Sequence, residues 1–240
     1  MSTALSGEND AGARRLTRAE QPEHYIVPVC PDPVTPIYQD SDILVISKPA
    51  FLLSVPGRAP ENKDCVIRRL ARDHEDVRLV HRLDLDTSGI MVFALNRAAQ
   101  SQLSRAFQRR QVAKEYQAVV AGLVGEDHGE VALPLIADWP KRPLQKVCFE
   151  TGKPALTRFQ VLGRDSRGDT SRLRLRPVTG RSHQLRIHCR ELGHPILGCD
   201  LYAPADILNR SDRLLLHAHR LAFNHPRTGL WREFVSAVPF

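Results

Sequence analysis

The sequence predicts an α+β fold with a central mixed, mostly antiparallel β-sheet flanked by helices. Three observations predict it. Stretches of strict alternation, such as "SRLRLRPVTG" and "AKEYQAVVAG", read as half-buried strands. Stretches with apolar residues at helical spacing, such as "NRAAQSQLSRAFQRRQ" and "RSHQLRIHCRELGHPI", fall between them. The two kinds interleave without a regular βαβ repeat, which argues for α+β over a parallel doubly wound sheet.

Taken in order, residues 1–24 are polar and charged with few bulky apolar residues, and predict a flexible leader ahead of a body at 25–240. "VPVCPDPVTP" holds four prolines, which suits an extended arm. "DILVISKPAFLLSVPG" (42–57) predicts a buried strand, a break at Lys48-Pro49 and a second apolar run stopped by Pro56-Gly57. An amphipathic helix is expected over 64–74, a loop over 81–89 and a strand over 90–95. The 96–111 stretch places Ala99, Leu103, Ala106 and Phe107 on one helical face, with Asn96 as its N-cap. "QKVCFETGKPALTRFQVL" reads as two strands around Thr151-Gly152. In "SRLRLRPVTG", Leu173 and Leu175 oppose Arg172, Arg174 and Arg176; that arginine face either lines a path for a polyanion or is simply solvated. The last helix has Leu185, Cys189 and Leu192 in register, Ser182 as its N-cap and Gly193 just past its end. "LLLHAHRLAFNHPRTG" closes the chain with a strand pair.

Charge narrows the function classes. The chain carries 34 Lys+Arg against 27 Asp+Glu; the leader holds −1 of the balance and the body +8, so the basicity belongs to the folded part. Only six of the basic residues are lysines, and the planar guanidinium suits phosphates and base stacking. A nucleic-acid partner explains this, and so does a GC-rich genome. No run approaches a membrane span, and the start lacks the apolar segment of a secretory signal. Five cysteines, odd in number and without CxxC spacing, fit neither a disulfide framework nor a cysteine-rich zinc site, so a reducing cytoplasm is expected. No GxGxxG or GxxxxGK[ST] marks a nucleotide cofactor, and no GxSxG marks a serine nucleophile.

The densest chemistry lies in "VHRLDLDTSGIMVFALN" (80–96). Asp84 stands between Leu83 and Leu85, at the mouth of a buried strand. It reads either as a turn-capping residue or as a functional carboxylate, and Asp86, nearer Thr87-Ser88-Gly89, fits capping better. A functional carboxylate needs a nearby cation, for which Arg82 and Arg186 are available. Asp86 and Glu115 are the only second acids in comparable settings, and Tyr116 reads as either a core residue or a stacking one. The pairs His183/His188 and His217/His219 lack carboxylate or cysteine companions at ligand spacing, so no metal site is expected.

"HRLDLDTSG" resembles the HRLDxxTSG signature of the RluA-type pseudouridine synthases. "KPAFLLSVPG", "AKEYQAVVAG", "TGKPALTRFQVL", "PVTGRSHQLRIHCRELGHPILG" and "LLLHAHRLAFNHP" resemble that family's other blocks, in order, over about residues 37–235. The resemblance implies the pseudouridine-synthase catalytic fold over 25–240 and an isomerase. Such an enzyme breaks the N-glycosidic bond of a uridine in RNA and rejoins the base through carbon 5, with no metal and no organic cofactor. It implies Asp84 as the catalytic carboxylate, Arg186 as its ion-pair partner, and Tyr116 as a residue that stacks on the target base or takes its carbon 5 proton. It implies Arg82 as the residue that refills the RNA stack when the uridine flips out, and His81, Lys114 and Arg181 as further RNA-binding positions. Only about 24 residues precede the body, too few for the S4 domain of many relatives. That compactness, with "ADWPKRPLQKVCFETGKPA", points to the dual-substrate branch acting on uridine 32 of a tRNA anticodon loop and uridine 746 of 23S rRNA. A monomer without membrane attachment is expected. The alternatives are the same chemistry on another tRNA or rRNA uridine, or a non-catalytic RNA-binding protein on the same scaffold. One departure is that Cys199 separates Gly198 from Asp200 in "GHPILGCDLY", where the family has glycine followed by aspartate; it is expected to affect a turn only.

Overall fold

The computed structural model describes residues 25–240, and the leader expected over 1–24 lies outside the described residues. The chain begins with an antiparallel pair, β1 (Thr35–Gln39) and β2 (Ile43–Lys48), followed by a short helix α1 (Val66–Leu70) and a two-residue strand β3 (Arg78–Leu79). β4 (Ser88–Ala94) leads into α2 (Arg97–Gln108) and β5 (Ala113–Ala121). Then come β6 (His128–Ala132), the small hairpin β7 (Leu135–Ala137) and β8 (Gln145–Val147), and the long pair β9 (Leu156–Asp165) and β10 (Thr170–Pro177). Helices α3 (Gln184–Glu191) and α4 (Ala205–Leu208) precede the last pair, β11 (Leu216–Asn224) and β12 (Trp231–Val235).

Ten strands form one sheet in the order β1-β2-β4-β11-β5-β10-β9-β6, with β3 beside β4 and β12 beside β11. Every pairing is antiparallel except β4 with β11. The mixed, mostly antiparallel sheet predicted from the alternation is therefore present. The parallel seam lies at its centre, where residues far apart in sequence meet: His217 opposite Ser88 and Ala218 opposite Gly89.

Local signals explain most element ends. The Asn96 side chain accepts from the Ala99 amide at 2.8 Å, the N-cap that starts α2. Ala99 and Leu103 are buried in a core with Ile43, Val92 and Phe223, and Ala106 and Phe107 pack on its margin. In β10, Leu173 and Leu175 are buried, whereas Arg174 and Arg176 reach across to Glu115 at 2.9 and 3.0 Å. Glu115 is thus a buried clamp for two arginines, not a second catalytic acid.

Three expectations are corrected. The helix expected over 64–74 is only Val66–Leu70: those two residues bury, and the chain beyond Ala71 turns into solvent with charged side chains. The strand expected to start at residue 90 starts at Ser88. Gly89 has φ 113°, and an added Cβ would lie 2.6 Å from the Ala218 amide nitrogen and closer still to its carbonyl oxygen. Only glycine lets β11 approach there. The two strands expected around Thr151-Gly152 are present as β8 and β9, which pair not with each other but β8 with β7, and β9 with β6 and β10. Finally, His183 and not Ser182 is the N-cap of α3, in a left-handed conformation (φ 54°, ψ 16°) with no side-chain capping bond. Gly193 does end that helix, with φ 87° and its amide donating to the Arg190 carbonyl.

Candidate active site

The loop before β4 is fixed through its backbone. Leu83 is buried, and its amide and carbonyl both bond the Ser54 hydroxyl, at 3.2 and 2.7 Å. The Leu85 carbonyl accepts from the Lys48 ammonium at 3.0 Å, which also donates to Pro49 and Leu52 carbonyls. With the backbone on both sides of it tied down, Asp84 lines a cavity of about 280 Å³. Lys48 is 1% exposed, and burial pushes its pKa down to about 7 against the opposing pull of Asp86 and Asp84. Sequence reading placed Lys48 only at a strand break; its signal was a lysine inside an apolar run.

All seven residues singled out from the sequence line this one cavity: Asp84, Tyr116 and Arg186, with His81, Arg82, Lys114 and Arg181. They come from the loop before β4, from β5, and from α3 with its preceding loop. Tyr116 projects from β5, in register with Leu175 on one side and Ala218 on the other. Burial, and secondarily the Asp84 charge, raises its hydroxyl pKa, so the phenol keeps its proton. Its ring is one wall of the cavity. His81 stacks on Phe107 and accepts from the Val92 amide at 3.0 Å; burial and nearby Lys114 push its pKa down to about 3, so it is neutral. Burial, with Arg110 next, lowers Lys114 to about 8. Arg82 stands exposed at the rim. A shallower hollow beside the cavity shares Lys114 and Arg181 and adds Arg110, so the mouth is basic.

Arg186 does not pair with Asp84. It is 2% exposed and binds Asp200 at 2.5 Å and Asp86 at 3.6 Å, while its Nε donates to the Cys199 sulfur at 3.3 Å. Burial alone would lower its pKa; Cys199, Asp200, Asp86 and, last, Asp84 outweigh burial and raise it. The side chain facing Asp84 is instead His183, with Nε2 at 4.0 Å. Asp86 is therefore a buried ion-pair partner of Arg186, and Cys199 touches the site rather than a turn alone. Asp200, Cys199, Tyr202 and His183 were missed as site residues. The signal for Cys199, Asp200 and Tyr202 was a cluster of polar groups within an otherwise apolar stretch after "GHPIL"; His183 stood in the "RSHQLR" block and was weighed there only as a metal ligand.

The other histidines are engaged in hydrogen bonds. His217 Nδ1 meets the Ser88 hydroxyl at 2.8 Å, His219 Nδ1 the Ser236 carbonyl at 2.7 Å, and His188 Nδ1 the Thr157 hydroxyl at 2.9 Å. Asp40, Asp42 and His225 bring donor atoms within 4.8 Å of one another away from the cavity. His225 binds Asp40 at 2.9 Å and Arg227 binds Asp42 at 2.8 Å, so these donor atoms are already engaged. No described helix is long and apolar enough to cross a membrane.

A basic-mouthed cavity with one carboxylate at its floor, an aromatic wall and a buried arginine behind suits chemistry on a flat base joined to a sugar-phosphate chain. Comparison with known proteins agrees. Residues 42–191 match the family model described as RNA pseudouridylate synthase, and the chain belongs to that family. It is 50% identical over 204 residues to the dual-specificity RNA pseudouridine synthase RluA of Yersinia pestis, covering 85% of this chain and 98% of that one. It is 49% identical over 204 residues to the protein of the same name from Escherichia coli K12, covering 85% and 93%. Among solved structures, human RNA pseudouridylate synthase domain containing 1 superposes with a TM-score of 0.73 at 29% identity, covering 89% of this chain and 86% of that one.

Proposed function

We propose that this protein is a dual-specificity RNA pseudouridine synthase that isomerises uridine 32 of a tRNA anticodon loop and uridine 746 of 23S rRNA. The observation that carries the reading is Asp84, held between two anchored leucines in a cavity walled by Tyr116 and backed by Arg186, on a chain about half identical to relatives of that name.

In this reading the target uridine leaves the RNA stack and enters the cavity, at a cost of a few kcal/mol. The exposed Arg82 guanidinium fills the gap. Tyr116 stacks on the base; its raised pKa makes stacking its resting role, since little phenolate is present to take a proton from carbon 5. Asp84 acts as the ionised carboxylate, attacking the uridine or removing a sugar proton. Arg186 works at one remove: it locks Asp86 and Asp200 behind the loop and adds positive potential to the cavity. Lys114 and Arg181, with His81 beside them, hold the RNA backbone at the mouth. The protein acts as a monomer in the cytoplasm, without metal or organic cofactor.

The test is tritium release from carbon 5-labelled uridine in a tRNA anticodon stem-loop, with EDTA present, for the wild type and Asp84→Asn. Release by the wild type alone is the expected result. Release by neither, on the stem-loop and on a 23S rRNA hairpin alike, would overturn the reading in favour of an RNA-binding protein. Release on the rRNA hairpin alone would remove the tRNA half of the substrate pair.

A further inference from the structure

We infer that His183 is the positioning residue for the Asp84 carboxylate, through a neutral ring whose orientation is set by Tyr202. The inference rests on the function proposed above. Three observations carry it. Arg186 is spent on Asp200 and Asp86, so the side chain that faces Asp84 is the His183 imidazole, with Nε2 4.0 Å from Asp84 Oδ1. The other ring nitrogen, Nδ1, lies 2.5 Å from the Tyr202 hydroxyl. That hydroxyl already accepts from the Gln145 amide at 3.0 Å, so its own proton is free to point at His183 Nδ1. With Nδ1 accepting, the neutral ring carries its proton on Nε2, the nitrogen turned to Asp84.

The backbone gives the second line of argument. His183 takes a left-handed conformation immediately before α3, an uncommon state for a residue with a Cβ. It aims the ring into the cavity while the His183 carbonyl still receives the Ile187 amide and starts the helix. Backbone strain of this kind concentrates at functional sites.

Chemistry supplies the third. A full cation against Asp84 would hold it firmly but would drain its basicity. A neutral N–H orients the carboxylate and leaves it reactive. When the entering base expels water, a small rotation of either side chain brings Nε2 to hydrogen-bond distance of Oδ1 and leaves Oδ2 for the uridine. Burial lowers the His183 pKa, and Arg186 and Arg82 oppose its protonation while Asp84 and Asp200 favour it; the direction that prevails is down, toward the neutral ring.

The experiment compares wild type, His183→Phe, His183→Asn and His183→Gln for kcat and KM on the tRNA stem-loop, with melting temperatures alongside. Phenylalanine keeps the ring without a donor. Asparagine suits the left-handed backbone but is too short to reach Asp84. Glutamine offers an amide N–H in its place. The expected loss for Phe and Asn is about 100-fold in kcat, the scale seen when one preorganised donor is removed, with KM changed less than about threefold, and Gln recovers at least about tenfold of it. A folded Asn variant with kcat within about threefold of the wild type overturns the inference alone. So does a loss equal in all three variants and matched by their melting temperatures. A wild type inactive on both RNAs overturns the functional reading and this inference with it.

Discussion

Replacing Arg186 with methionine removes the one guanidinium that binds both Asp86 and Asp200. In the wild type it sits 2.5 Å from Asp200 and 3.6 Å from Asp86, and its side chain is 2% exposed. Methionine fills much of the volume, so the cavity left behind is small and the change is chiefly electrostatic. Two carboxylates, 10% and 16% exposed at their side chains, then lose the guanidinium they share. Breaking a buried ion pair by removing one partner costs about 3–5 kcal/mol, most of it the penalty of the uncompensated charge. The loss expected at pH 7 is therefore about 3–5 kcal/mol. The assay is urea unfolding with linear extrapolation. Far-UV circular dichroism is the better probe, since Trp139 and Trp231 are both more than half exposed and report little on packing. A deficit below about 1 kcal/mol at pH 7 would refute the reasoning.

Gly89→Ala forces a Cβ into the Ala218 backbone at a positive φ, so β4 and β11 must part; a loss of about 3–5 kcal/mol and of pseudouridine formation is expected by the same unfolding assay and by tritium release. Stability also depends on His81 and His217, whose pKa values burial lowers to about 3 and about 4. The unfolded chain takes up protons at these sites from about pH 6.5 downward, before the folded one does. The contribution is thus complete above that pH and lost as it falls toward 4, with a slope approaching about 1.4 kcal/mol per pH unit for each histidine. Urea midpoints that are flat between pH 7 and pH 5 would contradict this.

Short-range physics was legible in the sequence. Asn96 caps α2 because its side chain needs only the amide three residues on. The alternation of Leu173 and Leu175 with arginines placed β10 and its buried face. The motif around Asp84 likewise carried part of its own neighbourhood, because Leu83 beside it buries in the core. The mixed sheet followed from the succession of such segments.

What only the tertiary structure decided involves partners distant along the chain. Arg186 had three carboxylates to choose from, and the choice of Asp200 and Asp86 over Asp84 depends on how α3 and the segment after it settle on the sheet. His183 acquired its position opposite Asp84 because α3 begins with a left-handed residue, which a hydroxyl at Ser182 would not foretell. Gly89 read as part of a turn, yet it belongs to a strand, and its need for glycine comes from Ala218, brought alongside by the parallel seam. A sequence states which side chains are polar, apolar or bent. Which buried charge meets which is fixed only when strand register and helix docking select one pairing among several of similar local energy.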